Sequence, residues 1–324
     1  MKNINPKRII ISRTDSIGDV VLTLPMCIWL KKEFPEAKLV FLCRAYTQDV
    51  VSCFKVIDEI LVLEVLTSLN VAERNEQLKA DVLIHVFPNK RVASWAKTAL
   101  IPLRIGTSHR WFHWVTCNSK VRFTRKNSTL HEAQLNFYLL KPLGLTAIPD
   151  FTSINSVAAY ITQPSQPAAK ENPYIILHPL SQGSALDYPL QQYVHLAEEL
   201  VKLGYSVYVS GTSNEGKRIG TAFDHLAGVN NVCGKYTLKE FIWFIQGAKA
   251  LIACSTGPLH LAGIYNIKAV GLFTSRKPMH PGRWKQLGDL AVSLEYDQNC
   301  QICAKGGSCA CIEQIKVDDI IKAI

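Results

Sequence analysis

No run of about 18 uninterrupted apolar residues occurs in the 324-residue chain, which excludes a membrane-spanning helix on sequence grounds. Nothing matches G-x-G-x-x-G, so the usual dinucleotide fingerprint is absent too. The opening stretch MKNINPKRIIISRTD reaches Ser12 and Arg13 too soon for the apolar segment of a signal peptide. No close internal repeat or low-complexity tract is seen. Acidic residues fall short of basic ones, 26 against 36, leaving a net charge of +10. That excess favours a phosphorylated ligand, another polyanion or an anionic membrane surface, and is also compatible with mere solubility.

What is present reads as a soluble α/β protein. Apolar residues make up 48% and charged ones 19%, and the length suffices for two domains that each bury a core. Strands are expected at Arg8–Ser12, Lys38–Cys43, Glu59–Leu63 and Asp81–His85, with helices near Val20–Phe34 and Tyr46–Phe54. That alternation is the pattern of a parallel sheet covered by helices. After Gly144 it dissolves into TAIPDFTSINSVAAYITQPSQPAAKENP, the best linker candidate. It restarts with strands Tyr174–His178, Ser206–Ser210, Ala250–Cys254 and Ala269–Phe273 and helices Leu190–Leu203, Glu215–Leu226, Leu238–Ala248 and Pro258–Tyr265. Thr237 and Glu240 form a capping box ahead of the third of these helices. The expected domains are 1–160 and 161–324, and clefts between such domains are where ligands usually bind.

Two strand exits carry the chemistry. In RTDSIGD a single glycine, Gly18, precedes Asp19 at the first turn of a helix, where the helix dipole favours an anion. A plain N-cap is the ordinary reading of such an aspartate; facing a diphosphate, it could instead take a proton from an incoming hydroxyl. In CSTGPLHLAG, Ser255, Thr256 and Gly257 lead into a helix with Pro258 in its first turn, a combination suited to an anion or to simple capping. His260, one turn in, reads more readily as a core imidazole. Ser181, Gly183 and Ser184 in YIILHPLSQGS, and Gly211 in SGTSNEG, lie at two further strand exits.

These residues resemble the family 9 glycosyltransferases, the bacterial ADP-heptose:lipopolysaccharide heptosyltransferases. The likeness rests on IISRTDSIGDVVLTLP, on HEAQLNFYLLKPLG ending at Gly144, on CSTGPLHLAG, and on the C-terminal cysteines followed by IEQIKVDDI; it spans essentially the whole chain. The resemblance implies a GT-B fold, α/β with two Rossmann-like domains facing each other across a cleft, the C-terminal tail being a candidate to pack back on the first. It implies an inverting, metal-independent transfer of a heptose or related sugar from an ADP-sugar, bound by the second domain, to an inner-core lipopolysaccharide acceptor bound by the first. Asp19 would be the general base. Ser181, Gly183, Ser184, Gly211, Ser255, Thr256, Gly257 and His260 would hold the donor diphosphate, and Ser16, Gly18, Arg110, Arg122 and His131 the acceptor. No cofactor is required, no nucleic-acid partner is expected, and the location would be cytoplasmic, peripheral at the inner face of the cytoplasmic membrane.

Two departures accompany the likeness. Ser255 stands where many members carry an acidic residue, and GSALDYP puts Leu186 and Asp187 where many carry a lysine before W-P. Loss of that cation removes a term often worth a few kcal/mol in a closed site; Arg276, Lys277 or Arg283 are candidate replacements. A catalytically weakened member that binds nucleotide-sugar or glycan without turnover is therefore the alternative function.

Arg104, Arg110, Lys120, Arg122, Arg125 and Lys126 interleave with Trp111, Phe112 and Trp114 between Leu103 and Asn127. A phosphorylated glycolipid at a membrane surface ranks first for this stretch, a solvated loop second and single-stranded nucleic acid third. Of the ten cysteines, Cys27, Cys43, Cys53, Cys117, Cys233 and Cys254 read as reduced core thiols. Cys300, Cys303, Cys309 and Cys311 crowd together: their C-x2-C half has metal-ligand spacing while the C-x-C half is tight. A structural metal, a disulfide and packed thiols all remain open there.

Overall fold

The computed structural model describes residues 5–125, 128–162, 173–307 and 309–324. Of the expected linker, residues 146–162 are described and hold a helix, Phe151–Asn155, and a 3-10 turn, Ala158–Tyr160, so that part is structured; residues 163–172, with Lys126, Asn127 and Ser308, lie outside the described residues. The chain divides into two compact units that meet at residues 162 and 163.

The first unit is a six-stranded parallel sheet of β1 (Arg8–Ser12), β2 (Lys38–Cys43), β3 (Glu59–Val62), β4 (Val82–His85), β5 (Leu103–Thr107) and β6 (Ser119–Val121), in the order β3-β2-β1-β4-β5-β6. The second repeats this plan with β7 (Tyr174–His178), β8 (Ser206–Val209), β9 (Val229–Asn231), β10 (Ala250–Cys254), β11 (Lys268–Leu272) and β12 (Ala291–Leu294), ordered β12-β11-β10-β7-β8-β9. Both are the doubly wound order, in which the direction of winding reverses between two central strands: β1 and β4 in one unit, β7 and β10 in the other. Ligands of such sheets bind outside the carboxyl ends of those two strands.

The central strands are continuous apolar runs because helices cover both faces of the sheet. Every residue of β7 and β10 is buried, as is β1 from Ile9 on. Ile10, Val40, Leu42 and Leu83 anchor one core, and Ile175, Val207, Ile252 and Val270 the other. The residues of the C-terminal tail, Ile312, Ile315, Val317 and Ile320, join the core of the second unit. No helix among the described residues is long and apolar enough to cross a membrane.

Three expected helices are shorter or divided. The one expected over Val20–Phe34 is two, Ile17–Val21 and Leu24–Glu33, because Pro25 in the first turn of the second has no N–H to continue the first. The helix near Tyr46–Phe54 is a 3-10 turn, Ala45–Thr47, running into Gln48–Val51. The helix expected to reach Leu226 stops at Ile219, where Gly220 takes φ +57 and ends it. The capping box of Thr237 and Glu240 forms as expected.

Candidate active site

In the first unit the chain leaves β1 at Ser12 and turns through Arg13 to Ser16 before the Ile17–Val21 helix, so RTDSIGD stands at the winding reversal. The N-cap is Ser16, whose hydroxyl donates to Asp19 Oδ2 at 2.6 Å instead of capping a backbone N–H. Gly18 is buried and Asp19 partly exposed in the first helical turn. Arg13 is only 3% exposed. A cation so deeply buried requires partners, and it has several. Its Nη2 donates to Asp19 Oδ1, its Nε to Asp15 Oδ1 at 2.8 Å and its Nη1 to Asn136 Oδ1 at 3.4 Å, while Glu132 Oε1 lies 3.8 Å from Nη1. Burial opposes the charge on Arg13, but Asp19, Asp15 and Glu132 together raise its pKa above the usual value. For Asp15 the balance goes the other way: burial, with Asp19 adding, lifts its carboxyl to about 7 against the pull of Arg13.

Glu132 and Asn136 come from the Glu132–Asn136 helix, within the second stretch of the likeness, and the pattern HEAQLN was the signal that could have found them. His131 sits beside them as its N-cap: Nδ1 accepts from the Ala133 N–H at 3.2 Å, and the ring is 2% exposed against Phe151. Its side chain is committed to holding that helix. Arg110 and Arg122 are both exposed, the first as N-cap of the Trp111–Thr116 helix and the second just beyond β6. On that helix Trp111 is 68% and Trp114 62% exposed. Lys90 lies 4.9 Å over the Trp111 ring and Lys120 5.4 Å over that of Trp114. The stretch, for which a solvated loop ranked second, contains two strands and a helix; Trp111 and Trp114 are displayed, while Phe112 is buried.

The second unit brings the loops after β7 and β10 together at its own winding reversal. Ser184 Oγ donates to the Ser181 carbonyl at 2.8 Å and lies 3.4 Å from the Ser255 carbonyl; Ser181 Oγ closes the β7 loop on the Ala185 carbonyl at 3.0 Å. Gly183 takes φ +83 within this loop, a conformation that side-chain-bearing residues rarely adopt. Thr256 is the N-cap of the Gly257–Ile264 helix, yet its side chain makes no capping bond. The residue is 5% exposed, and Oγ1 has no hydrogen-bond partner among the described residues. An orphaned buried hydroxyl beside the free N–H groups of a helix start is a donor set for an anion. His260 lies in that helix, 2% exposed.

Gly211 ends up against Glu215: a Cβ there would meet the Glu215 Cβ at 3.0 Å, so the close turn after β8 favours glycine. Glu215 in turn caps its own helix with Thr212. Next to the β7 loop, His178 is pushed towards neutral imidazole by burial although Glu215 and Asp187 oppose this, and it pairs with Ser210 Oγ at 3.0 Å.

The variant Asp187-Tyr188-Pro189 has a structural account at its tyrosine. Tyr188 is 1% exposed, its hydroxyl donates to the Ile315 carbonyl at 2.7 Å, and its N–H meets Cys254 Sγ at 3.3 Å. Asp187 has Arg218 at 4.0 Å. Of the proposed replacement cations, Arg283 is buried at 5% exposure against Trp284, while Arg276 is half-buried and Lys277 exposed. Burial drives His280 in this loop towards neutrality, and Lys277 and Arg283 reinforce the shift, so positive charge is concentrated there. The four C-terminal thiols of Cys300, Cys303, Cys309 and Cys311 gather within 4.8 Å of one another.

Comparison with known proteins bears on the family and the fold. The sequence profile described as glycosyltransferase family 9 (heptosyltransferase) matches residues 76–311. A Haemophilus influenzae protein carrying the provisional name of glycosyltransferase is 24% identical, with 98% of this chain and 96% of that one covered. Among solved structures, a family 9 glycosyl transferase from Veillonella parvula superposes with a TM-score of 0.76 at 20% identity, covering 99% and 97% of the two chains. The Escherichia coli heptosyltransferase WaaC with ADP gives 0.74 at 15% identity, covering 97% and 98%, and the same protein has been solved with ADP-2-deoxy-2-fluoro heptose. These likenesses show the tandem Rossmann-like plan of the GT-B class.

Proposed function

This chain belongs to glycosyltransferase family 9, and we propose that it transfers a heptose, with inversion, from an ADP-sugar to an inner-core lipopolysaccharide hydroxyl. The observation that carries the reading is the buried, unpartnered Thr256 hydroxyl at the start of the Gly257–Ile264 helix, at the position where a doubly wound sheet binds its ligand. Thr256 Oγ1, the first N–H groups of that helix and Ser181 and Ser184 would take the diphosphate. WaaC, a heptosyltransferase solved with ADP, supports adenosine diphosphate as the nucleotide.

Asp19 then acts as general base. As the acceptor oxygen attacks the anomeric carbon, Asp19 takes its proton, the bond from that carbon to the diphosphate oxygen breaks, and ADP leaves with the electron pair. Arg13 and Ser16 fix the Asp19 rotamer, a preorganisation that accounts for a buried arginine at a strand end. No metal has a role in these steps. Cations of the loop after β11, Arg276 and Lys277, would offset the charge of the departing diphosphate in place of the missing lysine. The enzyme would work from the cytoplasm at the inner membrane face, the exposed Trp111 and Trp114 with Lys90, Lys120, Arg110 and Arg122 meeting an anionic surface.

One observation favours a second reading, a chain that binds nucleotide-sugar without turnover: Asp187 brings an anion, not a cation, to the loop after β7. Incubation with ADP-heptose and a heptose-deficient core acceptor separates the two. Release of ADP together with a heptosylated acceptor establishes transfer; stabilisation by ADP-heptose with no release establishes binding alone. No response to any ADP-sugar would overturn both.

A further inference from the structure

The C-terminal cysteines are organised unlike the other six. Cys300, Cys303 and Cys311 are buried and Cys309 partly so, and the cluster they form has no aliphatic or aromatic member among the described residues. Cys254, by contrast, packs among Ile175, Ile252 and Val270. Ordinary apolar burial therefore does not account for the four. Their Sγ atoms converge, 3.5 Å between Cys300 and Cys309 and 2.9 Å between Cys309 and Cys311, and all ten cysteines of the chain are unbridged.

Local folding explains the convergence. Cys300 is the N-cap and Cys303 the third residue of a single helical turn, Gln301–Ala304, which stacks the C-x2-C pair on one side. The chain reverses at Gly306, φ +75, and Cys309 and Cys311 return to meet it just ahead of the 3-10 turn Cys311–Gln314. Two short turns give this segment little hydrogen-bonded structure of its own, the situation in which small folds take a staple. Four sulfurs about a tetrahedral ion at 2.3 Å would lie about 3.8 Å apart, so the group needs only a small opening at Cys309 and Cys311 to become a ligand set.

The cluster is also moored to the loop after β11, which carries Arg276 and Lys277. Thr274 Oγ1 lies 3.8 Å from Cys303 Sγ. Ser275 Oγ bonds the Asp297 carbonyl and, at 3.1 Å, Glu295 Oε2, while the Phe273 N–H reaches the Leu294 carbonyl at 2.9 Å. Arg276 and Lys277 follow directly.

We propose that Cys300, Cys303, Cys309 and Cys311 bind one thiophilic metal ion, zinc or ferrous iron, through four thiolates, and that this ion anchors the segment around them against the exit of β11. An all-thiolate tetrahedral set selects zinc or iron over magnesium or calcium. With four thiolates filling the coordination shell, no position is left open for a substrate, so the ion is structural, and binding it releases the thiol protons without any redox step.

The test uses the full chain, purified without a polyhistidine tag or added metal. Elemental analysis is expected to give about one zinc or iron per chain, the stoichiometry of a single closed site. Cys303→Ser and Cys309→Ser should each lose most of it and melt at lower temperature. Thiolate-to-iron absorption bands mark iron, and their absence with bound zinc marks zinc. Where a variant fails to fold, removal of the metal from the parent chain by a strong chelator is the second measurement. It should lower the melting temperature, expose the region around Gly306 to protease, and be reversed by adding zinc or ferrous iron alone. Metal-free protein in which all ten thiols titrate would overturn the proposal, as would fewer than ten titratable thiols with no metal, the signature of a disulfide. Neither result touches the glycosyltransferase reading, which is measured by ADP release.

Discussion

Arg13 and Asp19, six residues apart, form an ion pair from the end of β1 to the first turn of the following helix, and the arginine is the more deeply buried partner. Arg125 extends the chain of charges: its Nη2 meets Glu132 at 3.1 Å, and Glu132 lies 3.8 Å from Arg13. The carboxylate proposed as base is thus held by a network that runs through Glu132 of another helix.

Replacing Asp19 by asparagine keeps the shape and an acceptor for Ser16 but removes the base. Turnover should fall by about 10²- to 10⁴-fold, with the dissociation constant for ADP nearly unchanged. Steady-state ADP release and calorimetric titration with ADP check the two halves, and turnover within a few-fold of the parent would sink the assignment.

Thr256→Val removes a buried hydroxyl that lacks a hydrogen-bond partner among the described residues. The free protein should be as stable as its parent or more so, whereas ADP should bind about fivefold to tenfold more weakly, corresponding to about 1 kcal/mol for a lost hydrogen bond. Thermal melts with and without ADP read both; weaker free protein with unchanged ADP affinity would mean that the hydroxyl serves the fold.

Asp15 predicts a pH effect of definite sign. Its carboxyl titrates near 7 in the folded chain against 3.8 ordinarily, through burial and the neighbouring Asp19. Between those values the folded chain holds a proton that the unfolded chain has lost, so this group's effect is to lower stability as pH rises. Asp15→Asn, which cannot ionise, should therefore match its parent most closely near about pH 4 and gain on it by about pH 8. The charged groups facing Asp15 are Arg13 and Asp19, with the Tyr46 hydroxyl on its carbonyl. A melting-temperature difference that is flat across this range refutes the shift.

Tyr188→Phe loses the bond to the Ile315 carbonyl while keeping the buried ring. The expected cost is about 1 kcal/mol, read as a modest fall in the denaturation midpoint, with ADP affinity unchanged. A large loss of ADP binding would instead make the hydroxyl part of the donor site.

Trp111→Ser with Trp114→Ser should reduce sedimentation with vesicles rich in anionic phospholipid and leave ADP binding intact. Equal sedimentation of parent and variant would remove the membrane role of this helix.

The alternation of apolar strands and capped helices made both doubly wound units readable, and Arg8–Ser12, Lys38–Cys43, Tyr174–His178 and Ala250–Cys254 fall on the expected residues because central parallel strands are apolar throughout. The strands β5, β6, β9 and β12 went unread. Towards the sheet edges, strands are short and face solvent, as in Val229–Asn231, so they carry no apolar run. Asp19 and Thr256 were legible because each belongs to a local strand-turn-helix pattern. Arg13 as the hub of a charged network was not, since its partners Glu132 and Asn136 lie more than a hundred residues away and are brought to it only by packing. His131, chosen from its motif, also caps its helix through the Nδ1 that accepts from the Ala133 N–H, a contact set by the fold of that turn. Sequence by itself determined what is periodic or contiguous: the α/β class, the two strand exits and the spacing of the four C-terminal cysteines. Tertiary structure decided what depends on distance: which carboxylates share Arg13, which hydroxyl is left unpartnered, and that the four thiols converge, because burial and hydrogen bonding are set by neighbours in space.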